Sequence, residues 1–174
     1  MTSFDQAFGY AILNEGQIFT DDPADRGGAT RYGITQRTLS EFLGKEAPKD
    51  AVAALTMEQA KEIYRKLYWT ALGLDAAPAI SATALFDTAI LCGQGRAIRL
   101  TQKALVLTID GNLGPVTRGA LLRAAPSGYV YRLVPALAEH FFALARADVS
   151  QQRFLEGWVK RAMRLLSLIA PAIA

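Results

Sequence analysis

The apolar residues of the first fifteen positions recur at helical spacing. Those that fall on one side of a helix are Phe4, Phe8, Ala11 and Ile12. Glu15 extends the same side, so the spacing predicts one helix over residues 3–15 with a carboxyl group at the end of its buried face. Burial disfavours the charged form of a carboxyl group. We therefore expect Glu15 to keep a proton near neutral pH, as a general acid must.

Helical spacing continues along the rest of the chain, with almost no alternating strand pattern. Thr35 can cap a short helix that ends at Gly44, and residues 56–59 (Thr-Met-Glu-Gln) have the form of a capping box. Ser81 can cap a strongly apolar helix that stops at Gly93. These patterns predict an all-α fold, a compact and mainly helical bundle with a glycine-rich loop.

The last third of the chain contains two further helical patterns. Pro135 interrupts the pattern of residues 129–146 and predicts a break or a kink near Val134. Ser150 can cap a terminal helix that is apolar on one side and basic on the other. A basic amphipathic helix can bind a membrane surface. Packing of its apolar side against the core is the interpretation that we prefer.

Composition narrows the class of protein. A chain of 174 residues, 51% of them hydrophobic, can bury a full core. The net charge of +3 favours an anionic surface, but basic residues are too few and too scattered to indicate nucleic acid. Cys92 is the single cysteine, so no internal disulfide forms, and its apolar neighbours indicate a buried structural thiol. His140 has no Cys/His cluster around it, so we expect neither a metal nor another cofactor.

A polar loop follows Glu15. Its glycines, which permit close backbone approach, are Gly27, Gly28 and Gly33. Its candidate functional side chains are Asp22, Asp25 and Thr30. A carboxylate and a hydroxyl opposite an acid could hold and activate a water, which inverting cleavage of a glycosidic bond requires. Alternatively, Asp22 and Asp25 are turn residues that bond to their own backbone.

Glu15-Gly16 is followed, at residues 22–35, by Asp-Pro-x-Asp-x-Gly-Gly-x-Thr-x-Tyr-Gly-Ile-Thr. This pattern resembles family 108 of the glycoside hydrolases, bacterial and phage muramidases that include endolysins and secretion activators. The resemblance implies a lysozyme-like helical fold. It also implies that Glu15 is the catalytic acid on the bond between N-acetylmuramic acid and N-acetylglucosamine, and that Asp25 and Thr30 line the water side of the cleft.

The resemblance covers nearly the whole chain. Residues 67–69 (Leu-Tyr-Trp) look like the family's Tyr-Trp pair, and residues 110–117 (Asp-Gly-x-x-Gly-Pro-x-Thr) are similar to the turn of small peptidoglycan-binding modules. Two residues depart from the family pattern. Gln17 stands where a glycine is usual, and Leu91 stands where an asparagine is usual.

Aromatic and acidic residues near these motifs are candidates for substrate binding. Sugar rings stack on aromatic faces, which makes Tyr32, Tyr68 and Trp69 candidate sugar-binding residues. Tyr68 and Trp69, at the end of a helix, could equally pack in the core. Asp22 and Asp87 could bond to substrate, although a structural hydrogen bond is the preferred interpretation for Asp87.

We expect residues 1–79 to form the catalytic region and residues 80–174 a helical, peptidoglycan-binding-like region packed against it, together one globular monomer. Bacterial peptidoglycan is the expected partner. The N-terminus lacks the basic start and the apolar run of a signal peptide. The product should therefore stay cytoplasmic until a holin, a gene-transfer particle or a secretion system releases it to act on the wall.

Three functions remain open at this point. In a muramidase, Glu15 protonates the leaving oxygen while a water held by Asp25 and Thr30 attacks the sugar carbon. A lytic transglycosylase also uses one acid, but it closes the muramic 6-hydroxyl onto the sugar. A non-catalytic wall-binding or secretion-assisting protein would be consistent with the altered Gln17 and Leu91.

Overall fold

The computed structural model describes residues 3–15, 18–21 and 28–170. Within these ranges the chain forms the elements α1 Ser3–Ile12, β1 Thr30–Arg31, β2 Ile34–Thr35, α2 Gln36–Leu43, α3 Lys49–Ala53, α4 Met57–Tyr64, α5 Ala79–Cys92, α6 Gln94–Ala104, α7 Pro115–Arg123, α8 Pro126–Ala147 and α9 Gln152–Arg164. A π-helical turn, Arg65–Thr70, continues α4, and short 3₁₀ turns cover Leu74–Ala76, Val149–Gln151 and Leu165–Leu168. The mainly helical fold predicted from the sequence is confirmed.

The chain divides into two compact units, residues 1–73 and 74–174. The N-terminal unit contains α1 to α4 and the two-stranded sheet, and the C-terminal unit contains α5 to α9. Assignment of a catalytic role to residues 1–79 and a wall-binding role to residues 80–174 stays a prediction. None of the helices in the described ranges combines the length and the apolar character needed to cross a bilayer.

Helix α1 ends earlier than its spacing predicts. Its buried side chains are Phe4, Ala7, Phe8 and Ala11. The helix stops at Ile12, so the predicted continuation to Glu15 is wrong. Asn14 explains the end, because its side-chain amide donates to the carbonyl oxygen of Tyr10 at 3.2 Å and satisfies a group that a longer helix would have bonded. Glu15 therefore lies beyond the helix and is half-buried.

Aromatic rings form the core of the N-terminal unit. The ring of Trp69 is fully buried and meets Phe4 edge-on, with ring centroids 5.5 Å apart. The ring of Phe8 lies 5.8 Å from that of Tyr64, which is also buried. These contacts join α1 to α4 and to the π-helical turn, so the helix that leads to Glu15 is anchored by packing.

The predicted caps of the N-terminal unit are confirmed. Thr35 accepts a hydrogen bond from the backbone N–H of Thr38, and Gly44 ends α2 with a φ of 68°. The capping box is complete, because Thr56 accepts from the N–H of Gln59 and the Gln59 side chain accepts from the N–H of Thr56.

Two predictions for the C-terminal unit are wrong, and a third is wrong in part. Helix α5 starts at Ala79, so Ser81 lies inside the helix, where it is fully buried, rather than at its cap. Helix α8 runs through Pro135, so the predicted break is wrong, while a kink there stays a prediction. The side chain of Pro135 is exposed, so water can bond the carbonyl group that loses its helical donor. Helix α9 starts after Ser150, whose N–H is instead accepted by the Asp148 side chain in a 3₁₀ turn.

Candidate active site

The hairpin turn between β1 and β2 gives the candidate site its backbone. Arg31 pairs with Ile34, so Tyr32 and Gly33 form a two-residue turn. Both have positive φ, 53° and 71°, as a type I′ turn requires. A positive φ is unfavourable for a tyrosine, and residues held in such conformations cluster at functional sites. The strain at Tyr32 thus marks this turn as a candidate functional site.

The carboxyl group of Glu15 lies against this turn. A Cβ atom added to Gly33 would be 2.5 Å from Oε2 and 2.8 Å from Cδ of Glu15. The same Cβ would be 2.5 Å from the hydroxyl oxygen of Tyr64. That hydroxyl donates a hydrogen bond of 3.0 Å to the carbonyl oxygen of Tyr32. Glycine is therefore needed at residue 33 for two reasons, the positive φ and the space that the two oxygen atoms occupy.

Tyr68 lies beside the same group of side chains. Its half-buried ring has its centroid 5.7 Å from that of Tyr64, and its hydroxyl shares a hydrogen bond with Thr38. Burial raises the pKa of Tyr68, and the nearby carboxylates Glu41 and Glu15 raise it further. Tyr68 therefore remains a neutral phenol at neutral pH and presents part of its ring close to Glu15.

Thr30 is the described member of the predicted water-holding pair. Its backbone pairs with Thr20 through hydrogen bonds of 2.8 and 2.9 Å. Its hydroxyl donates to the carbonyl oxygen of Gly28 at 3.1 Å. The proton of this hydroxyl therefore points to Gly28. The lone pairs of the hydroxyl oxygen can accept a hydrogen bond from a water. Asp22 and Asp25 lie outside the described residues.

The aromatic candidates differ in exposure. Tyr32 and Tyr68 are half-buried, so each has ring surface available to a sugar. The guanidinium carbon of Arg31 lies 5.2 Å from the ring centroid of Tyr32. Trp69 has no exposed surface, which favours the core-packing alternative for this residue.

Asp87 forms a buried ion pair in the C-terminal unit. Its side chain is 2% exposed and that of Arg161 is 11% exposed. The guanidinium donates from Nη2 to Oδ1 at 3.0 Å and from Nε to Oδ2 at 3.4 Å. A bidentate pair of this kind connects α5 to α9. This geometry favours the structural alternative over substrate binding for Asp87.

Replacement of Asp87 by alanine should destabilise the C-terminal unit. It would leave the Arg161 charge buried without this partner, a change that typically costs about 3–5 kcal/mol. Urea unfolding followed by circular dichroism would measure the loss. Glu156→Ala is the matched control, because it breaks the exposed Glu156–Lys160 pair on the same helix and should change stability little. Equal stability of Asp87→Ala and the unmodified protein would contradict the importance of this pair.

The turn at residues 110–117 is organised by a buried glutamine, Gln102. Its amide nitrogen bonds to Asp110 Oδ1 at 2.6 Å, to the Asn112 carbonyl oxygen at 3.0 Å and to Thr117 Oγ1 at 3.1 Å. Its amide oxygen accepts from the N–H of Gly111 at 2.9 Å. The Asp-Gly and Thr residues of the sequence signature are thus explained by the hydrogen bonds of the turn itself.

Neither Cys92 nor His140 shows the features of a reactive site. The thiol of Cys92 donates to the Thr88 carbonyl oxygen at 3.1 Å, and burial raises its pKa to about 12, so the nucleophilic thiolate is scarce at neutral pH. Burial, followed by the charge of Arg96, lowers the pKa of His140. Among the residues that the structure describes, no cluster of His, Cys, Asp and Glu side chains could hold a metal ion.

The sequence did not identify three residues of the candidate site. Tyr64 lies at helical spacing with apolar residues, and nothing in the sequence distinguishes Thr38 or Glu41 from the other residues of α2. For Tyr64, the available signal is a tyrosine at a position predicted to be buried. A buried phenol needs a hydrogen-bond partner, whereas phenylalanine needs none.

Comparison with known proteins identifies the class to which this fold and site belong. Residues 8–93 match the family described as "Glycosyl hydrolase 108", and this range includes Glu15, the hairpin with Tyr32, and the site tyrosines Tyr64 and Tyr68. Residues 96–163 match the family described as "Predicted Peptidoglycan domain". The protein is therefore a glycoside hydrolase that has peptidoglycan as its partner.

A solved structure is similar over nearly the whole chain. The solved structure titled "Structure of Brucella abortus SagA" is 33% identical in sequence, with a TM-score of 0.83. The match covers 98% of this chain and 96% of that chain. No curated protein matches the chain. The chain belongs to glycosyl hydrolase family 108, as the sequence motifs predicted.

Proposed function

We propose that this protein is an N-acetylmuramidase, which hydrolyses the bond between N-acetylmuramic acid and N-acetylglucosamine in peptidoglycan. The observation that carries the proposal is the position of Glu15. Its carboxyl group lies against Gly33, beside the Tyr64 hydroxyl and near Tyr68, within the residues that match a glycosyl hydrolase family. A half-buried carboxyl group with fixed surroundings is what general acid catalysis requires.

The proposed reaction is a single displacement. Glu15 donates its proton to the oxygen that joins the two sugars, and this oxygen leaves with the N-acetylglucosamine part of the strand. A water held by Thr30 and Asp25 attacks the sugar carbon from the opposite side and loses a proton to the Asp25 carboxylate. Thr30 supports this role because its hydroxyl, which donates to the Gly28 carbonyl oxygen, can accept from a water.

Substrate binding would use both parts of the chain. Tyr32 and Tyr68 present partly exposed rings, on which sugar rings could stack. Residues 96–163, which match the peptidoglycan domain, would hold the enzyme on the wall. We propose that the protein acts on the wall after release from the cytoplasm, as an endolysin does.

Product analysis tests the proposal directly. Purified sacculi would be digested and the fragments analysed by mass spectrometry. Hydrolysis adds the mass of one water per bond cleaved. NMR of the first product would show inversion as the anomer opposite to that of the original bond. Anhydro-muramic products would show a lytic transglycosylase instead. Sacculi that are bound but left intact would show a non-catalytic wall-binding protein.

A further inference from the structure

The hydroxyl group of Tyr64 has no role in the reaction described so far, yet it lies at the centre of the candidate site. The ring is 1% exposed and packs between Phe8 and Tyr68. Phenylalanine would fill this space equally well. The hydroxyl therefore needs an explanation other than ring packing, because burial of a polar group is unfavourable unless it is hydrogen-bonded.

Two distances locate this hydroxyl relative to the acid. Tyr64 Oη and Glu15 Oε2 are each 2.5 Å from the position that a Cβ atom on Gly33 would take. The two oxygen atoms are consequently separated by at most twice that distance. Both oxygen atoms occupy space that a side chain on residue 33 would need.

The hydroxyl has a hydrogen-bond acceptor in the hairpin turn. It donates to the carbonyl oxygen of Tyr32 at 3.0 Å, and Tyr32 is held with a positive φ in the hairpin turn. A phenol can rotate its single proton between two acceptors with little movement of its ring. When Glu15 gives up its proton, its carboxylate becomes the stronger of the two acceptors.

We propose that Tyr64 is a positioning residue for the general acid, holding the Glu15 carboxyl against Gly33 and donating to it as negative charge develops. The inference rests on the proposed function, since it assigns a partner to the proposed acid. A hydrogen bond that strengthens in the transition state raises kcat, whereas uniform binding of substrate changes KM.

Tyr64→Phe tests this role, because it removes one oxygen atom and keeps the ring. A lost hydrogen bond to a charged group should lower kcat by about 10- to 100-fold, with KM within about twofold of its original value. Kinetics on soluble peptidoglycan fragments would measure both constants. Tyr129→Phe is the matched control, because it also removes a buried hydroxyl, one that bonds to Thr101 at 2.9 Å in the C-terminal unit. It should leave kcat unchanged.

A second measurement does not depend on activity. The free energy of unfolding would be determined for the unmodified protein, Glu15→Gln, Tyr64→Phe and the double variant. Non-additive changes are expected if the two side chains interact. Additive changes, an unchanged kcat in Tyr64→Phe, or a rise in KM alone would each overturn the proposed role of Tyr64. Full activity of Glu15→Gln would instead overturn the proposed function, whatever Tyr64→Phe shows.

Discussion

Glu15→Gln is expected to abolish the clearing of purified sacculi. Glutamine has nearly the same shape as glutamic acid and can occupy the space against Gly33, but its amide has no acidic proton to give to the bridging oxygen. General acid catalysis typically contributes about 10²- to 10⁴-fold to the rate, so residual clearing should be lower by a factor in this range. Zymography with purified protein would measure the loss.

The control for this substitution is Glu62→Gln. Glu62 is an exposed residue of α4 in the same unit, so its replacement makes the same chemical change away from the candidate site. It should clear sacculi as the unmodified protein does. Circular dichroism and sacculus binding should be unchanged in both variants. Undiminished clearing by Glu15→Gln would remove Glu15 as the acid and, with it, the reaction proposed above.

The sequence predicts helix ends correctly where the deciding hydrogen bonds are local. Thr35 and the capping box that starts at Thr56 each satisfy backbone groups within three residues. The wrong predictions depend on how the whole helix is placed and not on one side chain and its neighbours. Ser81 has a side chain suited to a cap, but the helix has already begun two residues earlier and buries it. Pro135 lies on an exposed side of α8, where the interruption of helical bonding is tolerated.

The candidate site could be predicted from the sequence only in part. Glu15 was identified because a carboxyl group at an apolar spacing, followed by a glycine-rich loop, is unusual. The sequence does not show that Tyr64 lies near Glu15, since the hydrogen bond from Tyr64 to Tyr32 joins residues 32 apart in the chain. Such contacts depend on how α4 packs against the hairpin and have no local signal. Trp69 and Asp87 show the opposite error, in which the sequence suggests a functional residue and the structure favours a structural one. Their chemistry suits a sugar-binding site, but both side chains are buried.

Gly33→Ala is the second substitution with a large expected effect. The added methyl group would overlap Glu15 Oε2 and Tyr64 Oη, both 2.5 Å away, so at least one of them must move. Displacement of a catalytic group by about 1 Å can lower a rate by about 10²-fold. We expect a loss of this order in kcat on peptidoglycan fragments, in a protein that retains its helical circular dichroism.

Backbone strain has to be separated from displacement of the acid, because alanine at a positive φ is unfavourable at any position. Gly44→Ala provides this separation. Gly44 has a φ of 68°, close to the 71° of Gly33, but no atom lies within 4 Å of the Cβ that would be added. Both variants should lose stability in urea unfolding, Gly33→Ala by at least as much as Gly44→Ala because of the added overlap, while only Gly33→Ala loses activity. If the two lose activity equally, strain accounts for the effect, and the contact between Gly33 and the Glu15 carboxyl group has no part in catalysis.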